Sequence, residues 1–396
     1  MRFLTADYIF PISSAPIKNG IIVVDDSGVV LGIQKNQNLK IKTENFPGIL
    51  CPGFINSHCH LELSYLKGKI PEKTGLPAFI GEIEKIRRNF SEKEIQKSIL
   101  SAETEMLKNG IVGIGDISNS GVTFQQKSKG KIKYHTFIEA LGFHPDRANQ
   151  AFEYCLQLFE KTKKYNLQSS ITPHAPYSAS KKLLKKISGF ALKNHSIISI
   201  HNQENMDESQ MFLTGKGKIL ERLKLLGIDI SQWKPTGKNS LQSIFSSLPK
   251  KNKKLFVHNT FTTKNDIRFL KSKIQNSKPE IHFCFCPNAN LFIENTLPDF
   301  EIFINNKCKI AVGTDSLASN WNLSILEELK TISSNSHGTS LHTLLTWATK
   351  NGAELFGWEK ELGTFEKGKK PGINLITNVD LKNLKLTPNS EIERIF

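Results

Sequence analysis

Between residues 53 and 316 the chain carries eight short apolar runs rich in β-branched and aromatic residues. They are GFINSH (53–58), GIVGIGDIS (110–118), KYHTFIEAL (133–141), SSITPHAP (169–176), IISIHNQE (197–204), KLFVHNT (254–260), EIHFCFCPN (280–288) and KIAVGTDS (309–316). The intervening segments differ: PAFIGEIEKIRRNFSEKEIQKSILSAETEMLKNG spaces its apolar residues three and four apart, as one helical face requires. Eight strands alternating with helices predict an α/β fold, a (β/α)8 TIM barrel. An open doubly wound sheet is the competing arrangement, but no GxGxxG or other phosphate loop accompanies these runs.

The two ends read differently. IIVVDDSGVVLGI near the start alternates apolar and polar residues around Asp-Asp and Ser-Gly turns, and the tail LGTFEKGKKPGINLI is rich in Gly, Pro and Lys with short apolar strands. Residues 1–50 and 360–396 are therefore expected to pair in one small β-sandwich domain beside a catalytic barrel of residues 51–359. The stretch 205–250 is long for one barrel connection and reads as a lid over the barrel mouth.

Bulk properties exclude more than they identify. The net charge of +16 comes from 53 Lys plus Arg against 37 Asp plus Glu, but the lysines are scattered through amphipathic stretches. With no long basic run and no recognition motif, no nucleic-acid partner is expected. The opening MRFLTADYIFPISS lacks the apolar core of a secretory signal, and no stretch approaches the roughly 18 apolar residues of a membrane span. A cytoplasmic protein with no membrane partner is expected, its six cysteines reduced. Cys284 and Cys286 are too few and too close for a four-cysteine zinc site and read as small strand residues.

Chemistry collects at the ends of the runs. His58 and His60 end the first, His174 the fourth, His201 the fifth, His258 the sixth and Asp315 the eighth. In a closed barrel all these ends meet on one face, where the active site belongs. On a strand, His58 and His60 share a face and Cys59 turns away. Imidazole is a good ligand for zinc and iron. One histidine after an apolar run is more often a packing residue than a ligand. Six such groups at matching strand ends point to a metal site.

The motifs PGFINSHCH, IHNQE, VHNT, CPNANLFI and GTDSLASN, in this order, resemble the amidohydrolase superfamily, and within it the chlorohydrolase/deaminase branch with one catalytic metal. The resemblance covers nearly the whole chain; in the tail, Pro371-Gly372 stand where that branch often has Ala-Asp. It implies one divalent metal per chain, Zn2+ or Fe2+, held by His58, His60, His201 and Asp315. His258 would touch the metal-bound water or ligate weakly. Three neutral nitrogens and a carboxylate leave a position open for water, which the metal acidifies. Glu204, three residues after His201, is implied as the general acid, Asp315 as the base for the attacking water and His258 as the group orienting it. His174 is implied as a substrate contact. The fourth strand end reads ITPHAPYS, without the lysine whose carbamylated side chain would bridge two metals. Glu62 and Ser64 reach substrate or cap the next helix.

Attack of metal-bound hydroxide on an electron-poor carbon, with loss of ammonia, is deamination of a heterocycle. HCHLELSYLKG with IPEKTGL looks most like aminodeoxyfutalosine deaminases, whose substrate is an adenine nucleoside bearing a carboxylated benzoyl group. Arg147, in LGFHPDRANQ after the third run, is the candidate cation for that carboxylate. The small-molecule partner is thus an aminated heterocycle, most simply an adenine nucleoside. Hydrolysis of a cyclic amide, a triazine or another nucleobase on the same site stays open, as does a barrel that only binds ligand. The resemblance also implies a homodimer.

Overall fold

The structure, a computed structural model, describes residues 1–35, 42–274 and 280–396. Of the expected small β-domain, residues 36–41 lie outside this description. Each of the eight apolar runs overlaps one strand: Phe54–Cys59, Ile111–Ser118, Lys133–Ala140, Gln168–Pro173, Ile198–Asn202, Lys254–His258, Ile281–Phe285 and Lys309–Val312. All their neighbour pairings are parallel, joined by crossovers that carry helices, for example Glu92–Lys108 between the first and second. That helix starts where Ser91 accepts from the Glu94 amide while the Glu94 carboxylate accepts from the Ser91 amide, a reciprocal cap.

The strands form two ladders of four, first to fourth and fifth to eighth. The barrel therefore has two seams, and both are bonded by residues at the site. Between the fourth and fifth strands the His201 amide donates to the His174 carbonyl at 2.9 Å, and the Ser199 amide donates to Thr172 Oγ1 at 2.8 Å. Between the eighth and first, the amides of Thr314 and Asp315 donate to the His58 carbonyl at 3.1 and 3.0 Å. Asn56 spans the same seam, its Nδ2 donating to Thr314 Oγ1 at 2.7 Å. Ile55, Ile117, Phe137, Leu255, Val257 and Cys284 pack together in one cluster with Phe356 and Trp358, so the barrel is filled rather than open.

The chain ends meet in one seven-stranded sheet. Its order is Glu391–Arg394, Ile373–Thr377, Glu44–Pro52, Arg2–Ile9, Gly20–Val24, Val30–Lys35, with Ile17–Lys18 paired to Arg2–Ile9. The pairing of the two ends follows the expectation, whereas the second, facing sheet of a sandwich is not part of the described pairing. Pro371 and Gly372 join this sheet to the barrel. The Gly53 amide donates to the Pro371 carbonyl at 3.1 Å, and Gly372 adopts φ +73°, a conformation in which glycine alone is unstrained.

The stretch 205–250 forms helices Met206–Thr214, Lys218–Leu225 and Ser240–Ile244. No helix of the described residues is long and apolar enough to cross a membrane.

Closure at the eighth-to-first seam demands a small residue. A Cβ on Gly313 would lie 2.8 Å from both Cβ and the carbonyl oxygen of His58. Gly313→Ala should therefore lower stability by about 1–3 kcal/mol and weaken metal uptake, read by denaturant unfolding and metal analysis of the purified variant.

Candidate metal centre and active site

The first strand delivers two imidazoles to one point. His58 Nε2 and His60 Nε2 lie 3.1 Å apart, and His60 Nε2 is 3.3 Å from His201 Nε2. Asp315 Oδ1 completes the group, 3.4 Å from His58 Nε2 and 3.3 Å from His60 Nε2. His258 joins from the sixth strand: His58, His201, His258 and Asp315 each offer a donor atom within 4.8 Å of the others. Five buried donors from the first, fifth, sixth and eighth strands thus converge.

The backbone is bent to bring them there. His258 (φ +69°), Asp315 (φ +57°) and Gln203 (φ +47°), which precedes Glu204, all occupy the left-handed region. Non-glycine residues in that region cost roughly 1–3 kcal/mol each and cluster at functional sites.

Hydrogen bonds then fix which way each group faces. His201 Nδ1 is 2.9 Å from the His174 carbonyl, which can only accept, so the proton is on Nδ1 and Nε2 faces the centre bare. His258 Nδ1 likewise donates to Asn290 Oδ1 at 2.9 Å, leaving its buried Nε2 without a partner. Ser319 Oγ donates to Asp315 Oδ2 at 2.5 Å, so Oδ1 faces the centre.

Burial decides how readily these groups take or lose a proton. Burial pushes His60 down to about 3 and His258 to about 4, and burial with the neighbouring histidines holds His201 well below its usual range. For Asp315 burial acts upward, but the hydrogen bond from His58 and the nearby imidazoles hold the carboxyl well below the usual carboxylate range. The bare Nε2 atoms of His201 and His258 and the low-lying Asp315 carboxyl then face one point. That donor set fits a divalent ion such as zinc.

Glu204 borders the donors. Its carboxyl lies 3.6 Å from His258 Nε2, is only 4% exposed, and is pushed well above the usual range by burial and then by Asp315, Glu294 and other acids. His174 stands beside His201, ring centroids 4.8 Å apart, its Nδ1 bonded to Ser178 Oγ at 2.7 Å. It also opens onto a groove of about 950 Å3 lined by Phe143, Tyr154, Tyr177, Leu223, Arg147 and Arg222. Helix Lys218–Leu225, from the expected lid segment, forms one wall, and Arg222 bridges it to Glu84 on helix Leu76–Ile86. Arg147 is exposed on the turn Pro145–Arg147 at the rim. Glu62 lies apart from the donors. Its carboxylate accepts from the Asn119 amide at 2.9 Å and from Ser120 Oγ at 2.9 Å, and so holds the loop after the second strand.

Four side chains at the site escaped the sequence reading: Asn290, Ser319, Glu139 and Tyr177. Glu139 ends the third strand, 3.5 Å from His201 Nδ1, with burial raising its carboxyl to about 8. Its position at a strand end was the available signal. Tyr177 lines the groove and carries a buried hydroxyl without a hydrogen-bond partner.

Residues 49–394 match the Amidohydrolase family, and the chain belongs to it. It is 26% identical over 351 residues to the aminodeoxyfutalosine deaminase of a Nitratiruptor species, covering 87% of this chain and 82% of that protein. The fold is similar to that of Helicobacter pylori aminofutalosine deaminase in complex with methylthio-coformycin, with a TM-score of 0.78 at 22% identity over 98% of this chain and 94% of that one. It is also similar to an adenosine deaminase from Xanthomonas campestris with bound zinc, with a TM-score of 0.75 at 18% identity over 97% and 86%.

Adding zinc to metal-free protein should raise Tm with concentration, by an equivalent of about 2.7 kcal/mol at a hundred times its Kd. A melting curve indifferent to zinc and to chelator would contradict a cation at these donors.

Proposed function

We propose that this amidohydrolase removes the amino group of an adenine nucleoside by hydrolysis, releasing ammonia. The observation that carries the reading is Glu204: a buried carboxyl, pushed well above the usual carboxylate range by burial and neighbouring acids, beside a cluster of metal-binding character. A barrel that merely held an ion would need no such acid.

In this reading His58, His60, His201 and Asp315 hold one divalent ion per chain, and His258 contacts the attacking water. A divalent ion held there would lower the pKa of water toward neutral and so supply a nucleophile. Asp315, its Oδ1 left free by Ser319, takes the proton from the attacking water. Glu204 protonates the ring nitrogen beside the carbon under attack, which stabilises the added electron pair. The proton held on Asp315 would then pass to the amino group, ammonia would leave as the carbonyl forms, and the proton remaining on the added oxygen would return to Glu204, restoring both carboxyl groups. His258, its Nδ1 tied to Asn290, keeps Nε2 aimed at the water. The zinc of the Xanthomonas neighbour supports zinc as the ion, and iron suits the same donors. Residues 51–359 form the catalytic barrel, with the small β-domain drawn from 1–50 and 360–396.

The groove supports a finer substrate. Its volume exceeds what a bare nucleoside fills, and its walls are largely apolar and aromatic, with Arg147 at the rim. We assign it to an adenine nucleoside whose 5′ substituent is bulky, aromatic and carboxylated, as in aminodeoxyfutalosine. His174 contacts the base, and Glu62 supports the loop at the site's edge.

The test is ammonia release from a panel of adenine nucleosides, aminodeoxyfutalosine included, with zinc- and iron-loaded protein. Turnover of one member is expected. Silence across the panel with about one ion bound per chain would discard the nucleoside and direct the assay to triazines, other nucleobases and cyclic amides. Glu204→Gln should cut kcat by about 10²–10⁴ while zinc content stays unchanged. Arg147→Gln should raise KM about tenfold for the carboxylated nucleoside, the loss of one charge-assisted hydrogen bond, and leave KM for adenosine alone.

A further inference from the structure

The second strand ends in an acid that the proposed chemistry does not use. Asp116 Oδ2 lies 2.5 Å from Lys127 Nζ, and both side chains are 0% exposed. Lys127, at the end of the short helix Phe124–Lys127, also donates to Ser118 Oγ at 3.0 Å and Thr136 Oγ1 at 3.2 Å, which surrounds its ammonium with three polar contacts. The rings of Phe124 and Tyr134 flank it. The other carboxylate oxygen, Asp116 Oδ1, accepts from the Leu61 amide at 2.7 Å.

The register of the first two strands explains why that contact matters. Asn56 pairs with Ile114, but the next pair is Cys59 with Asp116. Three steps on the first strand match two on the second, so an extra residue is accommodated within Ser57–His58, a bulge next to the site. Register resumes at Cys59–Asp116, and the Asp116 side chain then holds Leu61. His60 is therefore bracketed by Asp116 on both sides, while the His58 carbonyl is held from the opposite edge by Thr314 and Asp315.

A buried ion pair is a poor source of stability, because desolvation offsets most of its attraction, and well-packed apolar replacements are often neutral or better. Its best-attested use is to fix one register among several. We propose that the Asp116–Lys127 pair is a positioning device for His58 and His60: it locks the bulge so that both Nε2 atoms face one ion. This rests on the metal-site reading above.

The test uses the full chain, with zinc affinity from chelator competition and the d–d spectrum of cobalt(II)-loaded protein as readouts. Asp116→Leu with Lys127→Met removes the charges and the Leu61 acceptor together. It should fold with metal-free Tm close to that of the parent, yet bind zinc about 10–100-fold more weakly with an altered cobalt spectrum. Asp116→Asn with Lys127→Met restores an acceptor for Leu61 but not the ion pair and should recover only part of the affinity; full recovery would overturn the role assigned to the pair. Should the first double variant not fold, Ser118→Ala with Thr136→Val loosens the Lys127 cradle and should still lower zinc affinity several-fold. Parental zinc affinity and an unchanged cobalt spectrum in the folded variants would overturn the proposal while leaving the metal reading intact. A parent chain that binds no zinc would instead remove the metal reading, and this inference with it.

Discussion

Four imidazoles and a carboxylate packed together form the constraint around which the barrel is organised. Ring nitrogens 3.1–3.3 Å apart are close enough to serve a single divalent ion. Burial lowers His60, His201 and His258 and so disfavours their protonation, and partners on the outer nitrogens of His201 and His258 commit their tautomers. Left-handed backbone at His258 and Asp315 and the seam bonds at His58 and His174 then serve one purpose. They hold in place a group of atoms that would otherwise move apart.

On the proposed reading, chemistry and recognition occupy different materials. The donors sit on strand ends, backed by a packed interior, where small displacements are resisted from every side. The groove beyond His174 is walled by helices and turns, including Lys218–Leu225 and Pro145–Arg147, which can vary without disturbing the strands. Such a division suits a family in which one hydrolytic centre serves many heterocycles. It also explains why motifs identify the centre more readily than the substrate.

Much of this was legible in the sequence because burial imposes it. Each strand of a closed parallel barrel must be apolar, so all eight announced themselves, and a polar residue at the end of such a run stands out. The runs often overshot their strands, as KIAVGTDS does beyond Val312, because buried site loops are themselves apolar or small. The bulge at Ser57–His58 was not legible: a period of two brings His58 and His60 to one face with or without it. Asn290 and Ser319 were hidden in helix and loop segments, since their roles depend on what lies across the fold. Glu62 shows the converse. Placed beside the metal pair in sequence, its carboxylate turns out to be occupied by Asn119 and Ser120. The single continuous sheet of the chain ends likewise depends on pairing between residues more than 300 positions apart, such as Asn374 with Cys51, to which local alternation is blind.

The division of the barrel into two four-stranded ladders bears on how the protein is made. A ribosome delivers His58 and His60 early, but His201, His258 and Asp315 only with the second ladder. Two imidazoles alone hold a divalent ion weakly and exchange it freely with the cell's pool. On the proposed assignment, tight capture waits until the last strand lies against the first and its backbone amides reach the His58 carbonyl. Selection among competing metals is then exercised by a finished cavity of fixed shape, and the nascent chain passes through synthesis without committing to an ion.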